Sequence, residues 1–563
     1  MALNITHQIG GSLRGGPLLI PRGPSSMQSR LSSHLNFTSI WKPLLPEFIF
    51  RRIKEPTNKI QPPADIESVR LSSVVNNEQL DHTVENPTPV KKEEVEEEKV
   101  RGVPVYVMLP LDTVKKKGGL KRKKVIDASM SALRCAGVEG VMMDVWWGLV
   151  EWEAPGEYDW SAYVELINMA RKHELKVQAV MSFHHCGANV GDSCTISLPR
   201  WVVEIMGHTE DLSYTDRYGR RSQEYISLGC DTVPVLRGRT PVQCYRDFMV
   251  AFRNRFSCLL GSTIVEIQVG VGPAGELRYP SYPEKDTTWQ FPGIGGFQCY
   301  DKYMLRSLNE AAAAEGKPEW GHGGPTDAGG YNNRPEDTCF FCRHGGWSTS
   351  YGDFFLTWYS QQLIDHGERI ISSAKTIFFS NDVTISVKVA GIHWHYGTRS
   401  HAAELTAGYY NTRVRDGYLP IAQMLRRHGA AFNFTCLEMN DLEHPRDAKC
   451  MPETLVRQVV KAAREAEVEL SGENALPRYD RTAYEQILKL ALTAEVGRRK
   501  MMHGFTYLRI CSDLFHPRNW KEFVVFVKKM ADGNGGGRDE CALSLTRVPA
   551  GVSMMNGKFE MEE

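Results

Sequence analysis

Between residues 103 and 510 the sequence repeats one unit, a short apolar run of strand length followed by a segment with helical spacing. Apolar runs occur at 103–110, 140–147, 177–183, 384–390, 431–437, 468–476 and 505–510. Another is formed by Ile264, Val265, Ile267, Val269 and Val271. Between them, Val125, Ile126, Met130 and Leu133 recur at helical intervals and stop near Gly137, and 163–175 reads as a second helix. Strands separated by helices pair side by side in the same direction, because a parallel pair needs a long crossover. Eight such strands close into a (β/α)8 barrel, a TIM-type α/β fold. Its long loops, about 186–262 and 279–351, would lie over the C-terminal face of the strands. No compositional break divides 101–532, so one catalytic-size domain is expected there.

The flanks read differently. Residues 1–46 contain no Asp or Glu, carry Arg14, Arg22, Arg30 and Lys42, and are rich in Ser. That composition is the signature of an organelle transit peptide, with a plain disordered arm as the bland alternative. Residues 47–100 form a polar linker ending in an acidic run with too little apolar surface to fold. Residues 533–563 read as a loose tail. Lys+Arg and Asp+Glu each number 67 in the 563 residues, which argues against a globally basic nucleic-acid binder. The seven basic residues within 115–124 therefore read as a solvated loop. No stretch approaches the ~18 consecutive apolar residues of a membrane helix. The 13 cysteines are scattered, as expected of free thiols, and Cys339-Phe-Phe-Cys342 lacks the second pair that a zinc site needs.

One stretch carries two incompatible readings. Gly270-Val-Gly272-Pro-Ala-Gly275 fits the G-x-G-x-x-G dinucleotide pattern, and the same bend delivers Glu276, Arg278, Tyr279 and Tyr282 at a strand end. A dinucleotide turn must open a helix, but Pro280 and Pro283 prevent one here, and Pro273 removes an amide that would face phosphate. The catalytic-carboxylate reading is favoured. It gains from polar groups at the other strand ends: Asp144, His184, Lys388, His393, Thr435, Glu473 and Arg509. Each also has a bland reading. Asp144 and Lys388 can be a buried ion pair, and His393-Trp394-His395 can be core aromatics. Trp146, Trp147, Tyr279, Tyr282, Trp394 and Tyr396 suit stacking on sugar faces or ordinary packing. His184, His185 and Cys186 lack a further ligand at metal-site spacing.

Several motifs then match a known family. Gly272-Pro-Ala-Gly-Glu-Leu-Arg-Tyr-Pro-Ser-Tyr-Pro283 resembles the signature around the catalytic acid of plant β-amylases. Asp144-Val-Trp-Trp-Gly148, Asn189-Val-Gly-Asp192, Gly391-Ile-His-Trp394 and Gly472-Glu-Asn-Ala-Leu-Pro-Arg-Tyr479 match too. The resemblance covers about 101–532, and the acid-poor leader makes it most like the plastid-targeted members. It implies a (β/α)8 hydrolase that removes β-maltose from the non-reducing ends of α-1,4-glucans with inversion. Glu276 corresponds to the general acid and Glu473 to the general base. The sugar-binding positions correspond to Asp144, His184, Asp192, Lys388, His393, Thr435, Asn474, Ala475 and Arg509. Inversion needs a protonated acid at the leaving oxygen and, roughly 6.5–9.5 Å away, a carboxylate that activates water. The acid's site should therefore disfavour charge, whereas a cation such as Lys388 or Arg509 should help the base.

The resemblance also implies a lid at 187–192, carrying Asp192, and a second mobile segment at 435–439. Glu438, on that segment, is a rival base by residue type alone. The lid departs from the family pattern at His185 and Ala188, and losing a glycine at 188 would stiffen a hinge. Further departures fall at Gly296 and Asn440. The implied chemistry requires no metal or organic cofactor. The implied partner is an α-1,4-glucan, with neither nucleic acid nor membrane, and a monomer is favoured. The competing function is a non-catalytic glucan-binding regulator, but a binder has no need of both glutamates. The expected location is the plastid stroma, with the cytosol as the lesser alternative.

Overall fold

The computed structural model describes residues 102–189, 191–284, 287–492 and 502–533. The leader at 1–46, the linker at 47–100 and the tail beyond 533 lie outside the described residues.

Eight parallel strands close into a barrel. They are β1 (Val105–Met108), β2 (Gly140–Trp146), β3 (Lys176–Ser182), β6 (Ile264–Val269), β7 (Thr384–Val389), β8 (Ala431–Phe434), β9 (Leu470–Glu473) and β10 (Gly504–Tyr507). The barrel shuts where β10 pairs with β1, Phe505 opposite Val105. A two-stranded antiparallel ribbon, β4 (Ser213–Thr215) and β5 (Arg221–Ile226), stands apart in the connection between β3 and β6.

Side chains along each barrel strand alternate between two environments. The outward row, with Val105, Val141, Val145, Val177, Ile267, Val387 and Phe432, joins one continuous apolar core with the surrounding helices. Those helices present matching apolar stripes, such as Leu166, Ile167 and Ala170 in Ser161–Lys172. Each fully buried aliphatic chain of this kind contributes about 1.5–3 kcal/mol.

The inward row is unusually polar. Gln178 donates to Glu266 at 2.7 Å and accepts from Thr506 at 3.0 Å, and Ser386 donates to Glu266. Asn433 donates to Gln268 at 2.8 Å. Met108, Met142 and Val180 fill the apolar remainder with Leu508. Burial pushes the Glu266 carboxyl above its ordinary value, against the pull of the donors from Ser386 and Gln178.

Several expected boundaries moved. β8 ends at Phe434 rather than near 437, because Cys436 adopts φ +67° and turns the chain out of the sheet. The loop expected at 186–262 contains the barrel helix that follows β3, Pro241–Phe256. That helix is opened by a capping box between Thr240 and Gln243. Likewise the long helix Ser350–Phe378 begins within the segment expected as a loop at 279–351.

Candidate active site

The turn that resembled a nucleotide fingerprint is a short 3-10 turn, Pro273–Gly275, and no helix follows it. Its glycines serve close approach. A Cβ on Gly272 would stand 2.4 Å from the Glu276 carbonyl oxygen, and Gly275 holds φ +73°. The chain then returns to the barrel, with the amide of Leu277 donating to the Lys388 carbonyl at 2.8 Å. This bridge sets Glu276 beside Lys388 at the C-terminal end of β7.

A cavity of about 630 Å³ opens at this end of the barrel, and both Glu276 and Glu473 line it. Each is buried, 6% and 2% exposed, and each has its own cation. Arg278 Nε donates to Glu276 Oε2 at 2.6 Å, and Lys388 Nζ lies 3.6 Å from Glu473 Oε2. Asn433 Nδ2 donates to Glu473 Oε1 at 2.6 Å. Burial pushes the Glu473 carboxyl up, while the Lys388 charge and the Asn433 amide pull against it without cancelling it. Burial also works against the Lys388 ammonium. The carboxylates of Glu473, Glu276 and Asp144 outweigh burial and leave the lysine's pKa raised.

Of the positions implied for sugar contact, Asp144, His184, Asp192, Lys388, Thr435, Asn474, Ala475 and Arg509 line the cavity. Asp144 accepts from Ser182 Oγ at 2.8 Å. Burial pushes the His184 imidazole down to about 3, helped by the Lys388 and Arg278 charges, so the ring is neutral. Its Nδ1 has no hydrogen-bond partner among the described residues. Asn474 ties β9 to β10 by accepting from the Leu508 amide at 2.8 Å. Asp192 Oδ2 gathers the amides of Gly187, Ala188 and Asn189 at 2.7–3.1 Å. Ala188 is absent from the residues with positive φ, so this arrangement does not require glycine there.

His393 is different. It is fully buried, bonds the Gly391 carbonyl through Nδ1, and is not among the cavity's lining residues. Nor do the aromatics form a sugar platform. Of the six weighed for stacking, only Tyr282 lines the cavity, while Trp146, Trp147, Tyr279 and Trp394 are core side chains. Glu438, the rival base, spends its carboxylate on the amides of Ala475 (3.0 Å) and Leu476 (2.6 Å), and it does not line the cavity. It anchors the segment that carries Glu473 and Asn474.

Sequence reasoning missed how Arg278 is held. The guanidinium is 2% exposed and stacks on Tyr282 with 4.3 Å to the ring centre. Its Nη2 donates to Asn189 Oδ1, in the loop after β3, at 2.7 Å. Asn189 in turn donates to Glu224 on β5, which also accepts from the Ala274 amide at 3.0 Å. Burial pushes the Glu224 carboxyl up to about 7, against the pull of Arg278 and the Asn189 amide. Nothing in the sequence around Glu224 marks it, because its partners come from two distant loops.

Comparison with known proteins identifies the family and agrees with the barrel fold. The model of glycosyl hydrolase family 14 matches residues 106–536. Chloroplastic beta-amylase 2 of Oryza sativa subsp. japonica is 62% identical over 83% of this chain and 84% of its own length. Chloroplastic beta-amylase 1 of Arabidopsis thaliana is 66% identical over 78% of this chain and 77% of its own. Among solved structures, the catalytic domain of beta-amylase from Paenibacillus polymyxa superposes with a TM-score of 0.63. It is 29% identical and covers 76% of this chain and 98% of that domain. The chain therefore belongs to glycosyl hydrolase family 14.

Proposed function

We infer that this chain hydrolyses α-1,4-glucans such as starch and maltodextrins from their non-reducing ends, releasing β-maltose with inversion. The observation that carries the reading is the pair of buried glutamates on one cavity, each with a separate cation. In the proposed mechanism Glu276 protonates the glycosidic oxygen, and Glu473 takes a proton from the water that attacks the opposite face of the sugar ring. Support for Glu473 as base comes from Lys388 and Asn433, which favour its ionised form. The carboxylate of Glu438 accepts from backbone amides instead. Asp144, Asp192 and Arg509 supply charged hydrogen-bond partners for sugar hydroxyls, with neutral His184 and Thr435, Asn474 and Ala475 beside them. His393 has a weaker claim, since the cavity does not reach it.

The test is incubation of the protein with maltopentaose, with the anomers followed by NMR as they form. β-Maltose as the first product is expected. First release of α-maltose, a spread of oligosaccharide lengths, or glucan binding without any product would each overturn the reading. Glu276→Gln and Glu473→Gln should each lower turnover by several orders of magnitude with the fold intact. We place the protein in the plastid stroma. The acid-poor, Arg- and Ser-containing leader and the chloroplastic relatives support that location. A fluorescent protein fused behind residues 1–100 should enter plastids, and a diffuse cytosolic signal would refute the placement.

A further inference from the structure

Seven of the ten residues at 115–124 are basic, and hydrolysis of an uncharged glucan gives them no task. The run folds into a tight hairpin between β1 and the helix Lys123–Cys135. Val114 and Leu120 pair across its base as buried side chains, and the Lys115 amide donates to the Gly119 carbonyl at 3.0 Å. Lys117, Gly118 and Gly119 take φ of +69°, +88° and +83°, which turns the tip and leaves Lys115, Lys116 and Lys117 exposed. The base of the hairpin belongs to the mouth of the active site. Asp112, Arg122 and Val125 line the same cavity as Glu276 and Glu473. Asp112, before the turn, holds Lys121 and Arg122, after it, at 3.1 and 2.7 Å.

The charge on this hairpin is not balanced. Lys123 meets Glu165, and Lys116 lies over the Trp152 ring, 3.6 Å from its centre. Asp159 stands beside Gly118, while Asp127 is taken up by Lys172 and His173. Lys115, Lys117 and Lys124 are exposed and have no ion-pair partner among the described residues. Acids and bases are equal in number over the whole chain, so the excess is a local one. Like charges crowded on one short loop repel each other, and an anion is the group such a surface favours.

We propose that the hairpin is an outer subsite for phosphate-bearing α-glucans, in which Lys115, Lys117 and Lys124 take a phosphate ester carried by the chain outside the cavity. The proposal rests on the hydrolytic reading above and specifies its substrate. A glucan longer than the cavity must leave through its mouth, and Asp112 and Arg122 form part of that wall. Its sugar units are uncharged, so the anion that meets the lysines must be a substituent. A phosphate monoester on a free hydroxyl brings about −1.5 to −2 charges at neutral pH and several acceptor oxygens. Lysines suit it as mobile point charges, which tolerate a phosphate at varied positions along the chain. An anionic membrane lying on the hairpin would cover the cavity mouth, whereas a phosphorylated glucan engages hairpin and cavity together.

The test compares one long α-glucan in two forms, phosphorylated and the same preparation stripped by a phosphatase. Initial rates of maltose release are measured with the full-length protein at low ionic strength. KM for the phosphorylated form should be lower by roughly fivefold to tenfold, with kcat alike. The difference should vanish near ~1 M NaCl, where the screening length falls to ~3 Å. Lys115→Gln, Lys117→Gln and Lys124→Gln combined should erase the preference and leave turnover of the stripped glucan unchanged. Lys115→Glu with Lys117→Glu should reverse it, since like charges then meet. Equal KM values for both glucans in the parent, or a preference that the triple Gln variant keeps, would overturn the proposal. Equal KM values together with retention of the parent, but not of that variant, on phosphatidylglycerol vesicles would assign the hairpin to a lipid surface and overturn it too. Failure to release maltose from the stripped glucan would instead refute the hydrolytic reading, and affinities of the two glucans by isothermal titration would then decide for the hairpin.

Discussion

Replacing Glu224 by Gln isolates the most displaced carboxyl near the site. Its pKa stands at about 7 against an ordinary 4.5 because it is buried, and the raised value already includes the favourable pull of Arg278 and Asn189. The folded protein therefore holds a proton that the unfolded chain gives up. The sign follows: where the folded state binds more protons, stability falls as pH rises. The penalty begins near pH 4.5, grows up to about pH 7 and is constant above it. At about 1.36 kcal/mol per pH unit, the full displacement amounts to about 3 kcal/mol, of which about 2.5 kcal/mol falls between pH 5 and pH 8. Gln keeps an oxygen to accept from Asn189 and the Ala274 amide and does not ionise. Relative to the parent, Glu224→Gln should gain about 2.5 kcal/mol between pH 5 and pH 8. Reversible urea unfolding of both proteins at a series of pH values measures this directly. A stability difference that stays flat across that range would refute the reasoning, because it would mean Glu224 titrates alike in both states.

Three further outcomes follow from the site. Glu438→Ala removes the carboxylate to which the Ala475 and Leu476 amides donate, a loss of about 3–5 kcal/mol for two charge-assisted bonds; an unchanged thermal midpoint would refute that anchoring role. Asn433→Leu removes a donor that favours ionised Glu473, so the acidic limb of the kcat/KM profile should move to higher pH; an unmoved limb would show that Glu473 is not the base. Arg278→Lys keeps the charge but loses the fork that reaches Glu276 and Asn189 together, and should lower kcat by roughly 100-fold with circular dichroism intact; full activity would show that the fork is dispensable.

The barrel was legible because its outward face is a single physical demand repeated eight times. Val141, Val177, Ile267 and Val387 must all meet helices, so apolar runs of strand length recur wherever a strand does. The inward face obeys no such local rule. Thr506 meets Gln178 across 328 positions of sequence, and Glu266 meets Ser386 across 120, so neither side chain advertises its partner. The same limit separates Glu473 from Glu438. Glu473 ends β9 and faces the cavity, whereas Glu438 lies beyond the left-handed turn at Cys436 and meets the backbone. His393, which the sequence motif matched to a sugar-binding pattern, packs its ring against His444 and is not among the residues lining the cavity. Glu224 escaped notice for a third reason, being placed by a β-ribbon that belongs to no barrel strand.

The two glutamates differ most in what holds their cations. Lys388 belongs to β7 and Asn433 to β8, adjacent barrel strands in which these two residues are paired in register. The surroundings of Glu473 are thus set by the sheet itself. Arg278 is set by loops: Asn189 holds one arm of its guanidinium, and Asn189 is held by Glu224 on the ribbon. A displacement of 187–192 therefore acts on Arg278, and through it on Glu276, while Lys388 and Asn433 stay fixed by β7 and β8. For an inverting reaction that asymmetry is apt. On the proposed assignment, Glu473 as base would need one constant charge state, whereas Glu276 as acid would gain from surroundings that change if the loop engages sugar.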